Sequence, residues 1–313
     1  MPEIIATVWD FDKTLIPGYM QDPIFDRWKI KGKEFWDNVN SRIEELEHKG
    51  FDVNHDTYYL NELIRESRKG GRLDGLNNEV LEELGAELQF FKGATELFRE
   101  IKEMGDIELY KKCGIRFENY IVSTGLKRMI VGSKIAPYVT KIWGAELIDE
   151  ESDGGEKRIV EVAYSLDNST KTRALFEINK GVGIEDDSTI DVNTKIPLEA
   201  RRVQFCNMLY VADGPSDVPA FSVLLQKGGS TMAIYPHGDE KAFSQVDQLR
   251  RDGRVQMVAE ADYTKGSSAY LWVMECLRRQ AEQIIKRKKR RISFTGRNSW
   301  ASYLIFFVMT KYS

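Results

Sequence analysis

The chain opens on an apolar run, Ile4-Ile5-Ala6-Thr7-Val8-Trp9, that stops abruptly at the charged segment Asp10-Phe11-Asp12-Lys13-Thr14. A short apolar run rich in β-branched residues predicts a buried strand. Pro17-Gly18 is a strong breaker, and the pattern changes character after it. Lys33–Lys49, Thr57–Lys69 and Asn78–Leu88 carry apolar positions at helical spacing among abundant charges, with the turn-rich stretch Lys69-Gly70-Gly71-Arg72-Leu73-Asp74-Gly75 between the last two. Residues 19 to about 91 therefore read as a small helical module inserted just after the first strand.

From Phe91 onward, strand and helix patterns alternate. Gly93 precedes a helix over Ala94–Met104. Tyr120-Ile121-Val122 reads as a short strand ending at Ser123-Thr124-Gly125, followed by helix-like Leu126–Gly132. Residues 142–148 and 158–165 read as further strands, the second as a hairpin arm after Ser152-Asp153-Gly154-Gly155. Thr172–Asn179 is a helix closed by Lys180-Gly181, with glycine as its C-terminal cap. Met208–Ala212 is a strand that ends at Asp213-Gly214-Pro215-Ser216-Asp217. A helix over Val218–Leu225, a strand over Thr231–Tyr235 and a long helix from near Gly266 into Lys286–Arg291 complete the order. Such alternation indicates an α/β fold, a Rossmann-like parallel sheet with helices on both faces. The implied organisation is a core of residues 1–17 and 92–280, a helical insert over 18–91, and a basic tail over 281–313.

Composition narrows the function classes. The 313 residues are 42% hydrophobic and 30% charged, enough for a sizeable core. The net charge of −4 does not suggest nucleic-acid binding, but it hides an asymmetry. Residues 278–313 carry ten Lys/Arg against Glu282, a net +9, which leaves −13 for residues 1–277. Cys113, Cys206 and Cys276 form no disulfide or metal-ligand spacing, and His48, His55 and His237 are equally scattered. A reducing, cytoplasmic location is expected, and the N-terminus lacks the charged-then-apolar pattern of a signal peptide.

The candidate chemistry starts at the end of the first strand. Two carboxylates with one residue between them repel, so Asp10 and Asp12 need a cation between them or a shared proton. Carboxylate ligands working with a phosphate suit Mg²⁺. In open α/β sheets ligands bind beyond the carboxyl ends of the strands, where Asp10–Thr14, Ser123–Gly125 and Asp213–Asp217 would converge with a lysine. Taken singly, Ser123-Thr124-Gly125 is a helix-capping turn, Asp213-Gly214 an ordinary turn and Asp217 an N-cap. Their order, with D-x-D-x-T first, a serine closing a later strand, a lysine, and then D-G-x-x-D, makes them specific as a set.

This set resembles the four motifs of the haloacid dehalogenase (HAD) superfamily. D-F-D-K-T-L and A-D-G-P-S-D are most similar to its phosphoserine-phosphatase-like phosphohydrolases. The resemblance covers roughly residues 4–275, with the insert where that superfamily carries its C1-type cap, which opens and closes over substrate. It implies a Mg²⁺-dependent phosphatase acting on a small phosphorylated metabolite through an aspartyl-phosphate. Asp10 is then the nucleophile and Asp12 the general acid and base. Ser123 and Lys171 are catalytic, Ser123 bonding the phosphoryl group and Lys171 offsetting charge, while Thr124 and Gly125 contribute to substrate binding. The metal set is Asp10, Asp12 through its main-chain carbonyl, Asp213 and Asp217. The family places the lysine before a helix, and a side chain there can point toward the strand ends, which favours Lys171 and leaves Lys180 and Lys195 as alternatives. Arg72 in the Gly-rich loop is a candidate contact to the leaving group, whereas Trp28, Phe35 and Trp36 read as core of the insert.

Asp12 speaks against a dehalogenase, and the absence of transmembrane patterns speaks against an ion pump. A phosphotransferase or phosphomutase, or a non-catalytic binding protein on the same frame, remains an alternative. The tail pairs Lys286-Arg287-Lys288-Lys289-Arg290-Arg291 with the apolar stretch Trp300–Met309, too short to span a bilayer. It reads as a helix end plus a disordered terminus, with peripheral contact to anionic lipid as the second reading.

Overall fold

The computed structural model describes residues 2–151, 153–184 and 189–294. Seven strands form one sheet: β1 (Glu3–Trp9), β2 (Ile115–Leu126), β3 (Val139–Glu151), β4 (Lys157–Tyr164), β5 (Met208–Ala212), β6 (Ser230–Tyr235) and β7 (Met257–Glu260). Their order is β4-β3-β2-β1-β5-β6-β7. All pairings are parallel except that of β3 with β4, which is antiparallel as a hairpin requires. Strand β1 lies between β2 and β5, so the chain winds outward on one side of it before crossing to the other. That reversal opens a crevice at the carboxyl end of β1.

Eleven helices are described: α1 (Asp22–Arg27), α2 (Gly32–His48), α3 (His55–Glu66), α4 (Asn78–Glu87), α5 (Ala94–Glu103), α6 (Glu108–Lys112), α7 (Lys127–Gly132), α8 (Thr170–Lys180), α9 (Val218–Gln226), α10 (Glu240–Arg251) and α11 (Ser268–Phe294). β1 is apolar on both faces because helices cover both. Ile5 and Trp9 join a cluster with α5 and α11, while Ile4, Ala6 and Val8 join a second cluster with α8, α9 and α10. The fold is therefore α/β with a Rossmann-like sheet, as the alternation predicts.

Helices α1 to α4 make up the insert. Its two ends meet where the Phe91 N–H donates to the Leu15 carbonyl at 2.9 Å. The insert is fastened along one side. The Ile159 N–H donates to the Leu76 carbonyl, and Asn78 Nδ2 donates to the Leu147 carbonyl at 2.8 Å, which ties the insert to the β3–β4 hairpin. Helix α4 also crosses α7 closely at two glycines. A Cβ on Gly85 would lie 2.1 Å from the Met129 carbonyl oxygen, and one on Gly132 would lie 1.9 Å from that of Glu82. Both obstacles are backbone, so neither can swing aside. Gly132→Ala is expected to cost about 1–3 kcal/mol or more by forcing the helices apart. Thermal unfolding checks this, and an unchanged midpoint would mean that the crossing is looser than described.

The structure revises three readings. β2 starts at Ile115 rather than near Tyr120, because Ile115 and Phe117 bury one face while Arg116 and Glu118 leave the other polar. Helices α6 and α10 and strand β7 went unread, being short or dominated by charge. The boundary at residue 281 falls inside α11, where Ala281 and Ile284 are buried against the core. The basic run Lys286–Arg291 continues α11, as the helical pattern from Gly266 predicts. Residues 295–313, including Trp300–Met309, lie outside the described residues, and no helix among those described is long and apolar enough to cross a membrane.

Candidate active site

The segment after β1 turns sharply. The Thr14 and Leu15 N–H groups both donate to the Phe11 carbonyl, and Lys13 takes a left-handed conformation with φ 55°. Among the described residues only Lys13 and Lys29 do so without being glycine, and such a conformation carries a steric cost. The turn points Asp10 and Asp12 in different directions. Asp10 is buried, with Thr14 Oγ1 donating to its Oδ2 at 3.2 Å. Asp12 turns toward the insert, where its Oδ1 accepts from the Met20 N–H at 2.9 Å.

Lys171 sits in the first turn of α8, which Asp167 initiates by accepting from the N–H groups of Ser169 and Thr170 at 2.9 and 2.7 Å. Its side chain runs back over the strand ends, 2% exposed, and its Nζ donates to Asp10 Oδ1 at 2.7 Å and to Asp217 Oδ1 at 2.8 Å. Lys180 instead donates to the carbonyls of Val192 and Thr194, and Lys195 is exposed. Asp217 is fully buried and accepts three hydrogen bonds. Tyr210 OH donates to its Oδ1 at 2.6 Å and Ser216 Oγ to its Oδ2 at 2.9 Å, besides the bond from Lys171. Asp213 completes the group: one oxygen from each of Asp10, Asp213 and Asp217 lies within 4.8 Å of the others.

Three carboxylates around one ammonium leave an excess of negative charge. Burial is the main cause that raises the Asp10 carboxyl to about 6, with Lys171 opposing it and Asp217 adding to it. Burial also raises Asp213 to about 7, helped by Asp10 and Asp217. Asp12 is raised well above the ordinary range, by burial first and then by Asp10. The donor set is all oxygen, anionic and short of positive charge, which fits a divalent cation such as Mg²⁺.

These shifts fix the sign of a pH effect. Asp10 and Asp213 hold protons more tightly in the folded protein than at about 3.9 in the unfolded chain. Their contribution to stability without metal is fully present below about pH 4 and is lost as pH rises through about 6 and 7. In EDTA the melting temperature should therefore fall from pH 5 to pH 8. Added Mg²⁺ should raise it more at pH 8, since metal binds the deprotonated ligands. Thermal melts at the two pH values with and without metal check this; a larger Mg²⁺ effect at pH 5 counts against the site.

At the end of β2 the ladder with β3 jumps from Val122↔Trp143 to Leu126↔Ala145, setting four steps against two. The bulge frees Ser123–Gly125 from regular pairing, a common device beside functional sites. Ser123 is buried, and its Oγ accepts from the Gly125 N–H at 3.0 Å, which leaves its own proton to donate. Gly125 is covered by Met20, whose Cε would lie 2.3 Å from an added Cβ. Beside Asp12 and Thr124 a cavity of about 340 Å³ opens between α2 and α3.

Arg72 does not reach this cavity. Its guanidinium donates to Glu66 Oε1 at 2.7 Å, and its backbone N–H to Glu66 Oε2, so the acid six residues earlier holds it in its own loop. Trp36 does more than fill the insert. It packs on Phe25, Phe35 and Tyr59, with its ring 5.4 Å from that of Tyr59, and also lines the cavity. Phe35 is buried as expected of core. Sequence reasoning missed Tyr210, although a tyrosine in the otherwise aliphatic run of β5 is a visible oddity. It also missed Gln21, Asp56 and Tyr59, for which nothing local in the sequence signals a shared wall.

No family model matches the chain. A protein of Borreliella burgdorferi described as uncharacterized is 38% identical over 286 residues, spanning 87% of this chain and 96% of that protein. The chain belongs to the same family as this protein. Solved structures that match it include a substrate-bound phosphoserine phosphatase complex, 18% identical with a TM-score of 0.47, covering 82% of this chain and 93% of the other. A phospho-aspartyl intermediate analogue of phosphoserine phosphatase matches over the same shares at 16% identity and a TM-score of 0.45. A HAD family hydrolase from Salmonella enterica serovar Typhi matches at 16% and 0.45, over 75% of this chain and 63% of its own. The last is described as a member of the superfamily that the four motifs resemble.

Proposed function

We propose that the protein is a Mg²⁺-dependent phosphatase that hydrolyses a small phosphate monoester through an aspartyl-phosphate on Asp10. The observation that carries this reading is the buried Lys171 bonded to both Asp10 and Asp217, with Asp213 beside them and Asp12 turned to the cavity.

Each group has a distinct role. An Asp10 oxygen attacks phosphorus as the bond to the ester oxygen breaks, which divides one difficult displacement into two. Asp12, held protonated by burial and by Asp10, gives its proton to the departing alkoxide. As a carboxylate it then takes a proton from the water that attacks the acyl-phosphate, releasing inorganic phosphate and restoring Asp10. The Ser123 hydroxyl and the Thr124 N–H donate to phosphoryl oxygens, and Lys171 holds the Asp10 carboxylate in line. When bound, Mg²⁺ would be held by Asp10, the Asp12 carbonyl and Asp213 and would neutralise phosphoryl charge. Asp217, already bonded three times, positions Lys171 and stands behind the ligands.

The insert over 18–91 acts in this reading as a cap that selects the leaving group, and a cytoplasmic setting suits a phosphorylated metabolite. Hydrolysis of an aryl phosphate with Mg²⁺ and with EDTA tests the proposal. Activity is expected only with the metal; activity that persists in EDTA would overturn the metal requirement. A phosphotransferase would show faster turnover when alcohols are added as acceptors.

A further inference from the structure

The cavity beside Asp12 has a chemical character that the proposed reaction does not require. The reaction asks only for a phosphoryl group, so the walls beyond Asp12 and Thr124 meet the leaving group. Those walls are aromatic and electron-rich. Trp36 and Tyr59 stand side by side, and the Tyr59 hydroxyl is fixed by donating to the Thr124 carbonyl at 3.1 Å. Asp56, partly buried in the first turn of α3, lines the same space and has no hydrogen bond or ion pair among the described residues. Burial, and then the nearby Asp167, raise its carboxyl above the ordinary range. Gln21, only 4% exposed, also lines the cavity, and its Oε1 has no partner.

No lysine or arginine is among the lining residues, and His55, which also lines the cavity, faces Glu47 at 3.6 Å. Lys13 lies nearby, but its ammonium is taken up by Tyr19, 4.2 Å from the ring centroid and bonded to the hydroxyl. Arg72 is held away by Glu66. An anionic leaving group would thus meet Asp56 and Asp12, and Lys171 and His55 offset the Asp56 charge only in part, since its carboxyl stays raised. A neutral one would leave Asp56 uncompensated. A cation would satisfy the carboxylate and lie against two aromatic faces that attract it.

We infer, building on the phosphatase reading above, that the cavity formed by Trp36, Tyr59, Asp56 and Gln21 selects phosphate monoesters whose leaving group carries an alkylammonium. The volume of about 340 Å³ limits that group to a small one. The carboxylate of a phosphorylated amino acid meets no lysine or arginine there, so the amine is the group recognised.

The test uses the full chain with Mg²⁺ and pairs of phosphates that differ in charge at nearly constant shape. Phosphocholine is set against 3,3-dimethylbutyl phosphate, and phosphoethanolamine against propyl phosphate, with phosphoserine as the anionic arm. In at least one pair kcat/KM should favour the cation by about tenfold or more. The preferred pair distinguishes a quaternary from a primary ammonium. The ratio should fall toward one in Asp56→Asn and in Trp36→Leu. Ratios near one in the wild type, or a preference for phosphoserine over both cationic esters, overturn the inference. Choline and ethanolamine binding by calorimetry, set against 3,3-dimethylbutanol and propanol, reads the cavity without any turnover. Tighter binding of a cation that is lost in Asp56→Asn upholds the inference even if no phosphate is hydrolysed, an outcome that would sink the phosphatase reading alone. Equal affinities for both members of each pair overturn it.

Discussion

Asp10→Asn should abolish hydrolysis of every phosphate monoester, lowering kcat by at least about 10⁴-fold. The substitution keeps the size of the side chain and leaves one carbonyl oxygen to accept from Lys171, with its amide turned to the Thr14 hydroxyl, but it removes both the proposed nucleophile and a proposed anionic ligand. The fold should not suffer. Asp10, Asp213 and Asp217 crowd one ammonium, and neutralising one of them relieves repulsion. In EDTA at pH 8 the variant should therefore melt no lower than the wild type, while its response to Mg²⁺ shrinks. Rapid acid quench during turnover should trap phosphorylated protein in the wild type and none in the variant. A rate within tenfold of the wild type would remove Asp10 from the chemistry altogether.

Lys171→Met carries the largest expected effect on stability. Methionine keeps much of the length of the lysine stem while removing its charge. The two bonds of 2.7 and 2.8 Å vanish, and Asp10 and Asp217 are left facing each other in a site with almost no solvent. Breaking a buried ion pair by deleting one partner costs about 3–5 kcal/mol, which should lower the melting point by roughly 10 °C. The deficit should shrink toward pH 5, where the stranded carboxylates can take up protons. Adding Asp217→Asn should recover part of the loss, a coupling that a double-mutant cycle measures directly. A single-variant cost below about 1 kcal/mol would show that the cluster is not bound together by this lysine.

These two residues illustrate what local pattern conveys. Asp10 was legible because an apolar run of six residues ends on it, and burial on both faces of β1 leaves a readable signature. Asp213 comes directly after β5 and was legible for the same reason. Lys171 was legible as a position, at the start of a periodic helix, but its choice over Lys180 depended on resemblance until its reach to Asp10, 161 residues away in the chain, was seen. The helical insert was legible because its charged, helix-spaced pattern contrasts sharply with the strand-and-helix alternation after Phe91.

Partners were the part that spacing could not convey. Arg72 looked free in a glycine-rich loop, yet Glu66 lies within reach and claims it. Trp36 looked like core and is also wall, because α2 and α3 meet at an angle that only packing sets. Asp217 looked like a metal ligand or a cap; it does lie in the carboxylate group that could hold a metal, and the hydroxyl of Tyr210, seven residues earlier on β5, also helps make it the seat of Lys171. Periodicity records which side of an element is buried, since that depends on neighbours three or four residues away. The order of strands, the fastening of the insert and the acidic, aromatic character of the cavity depend on contacts between residues far apart in the chain. Residue types and their order in the chain therefore pointed to phosphoryl chemistry, while the nature of the leaving group emerged only when α2 and α3 were folded over the end of β1.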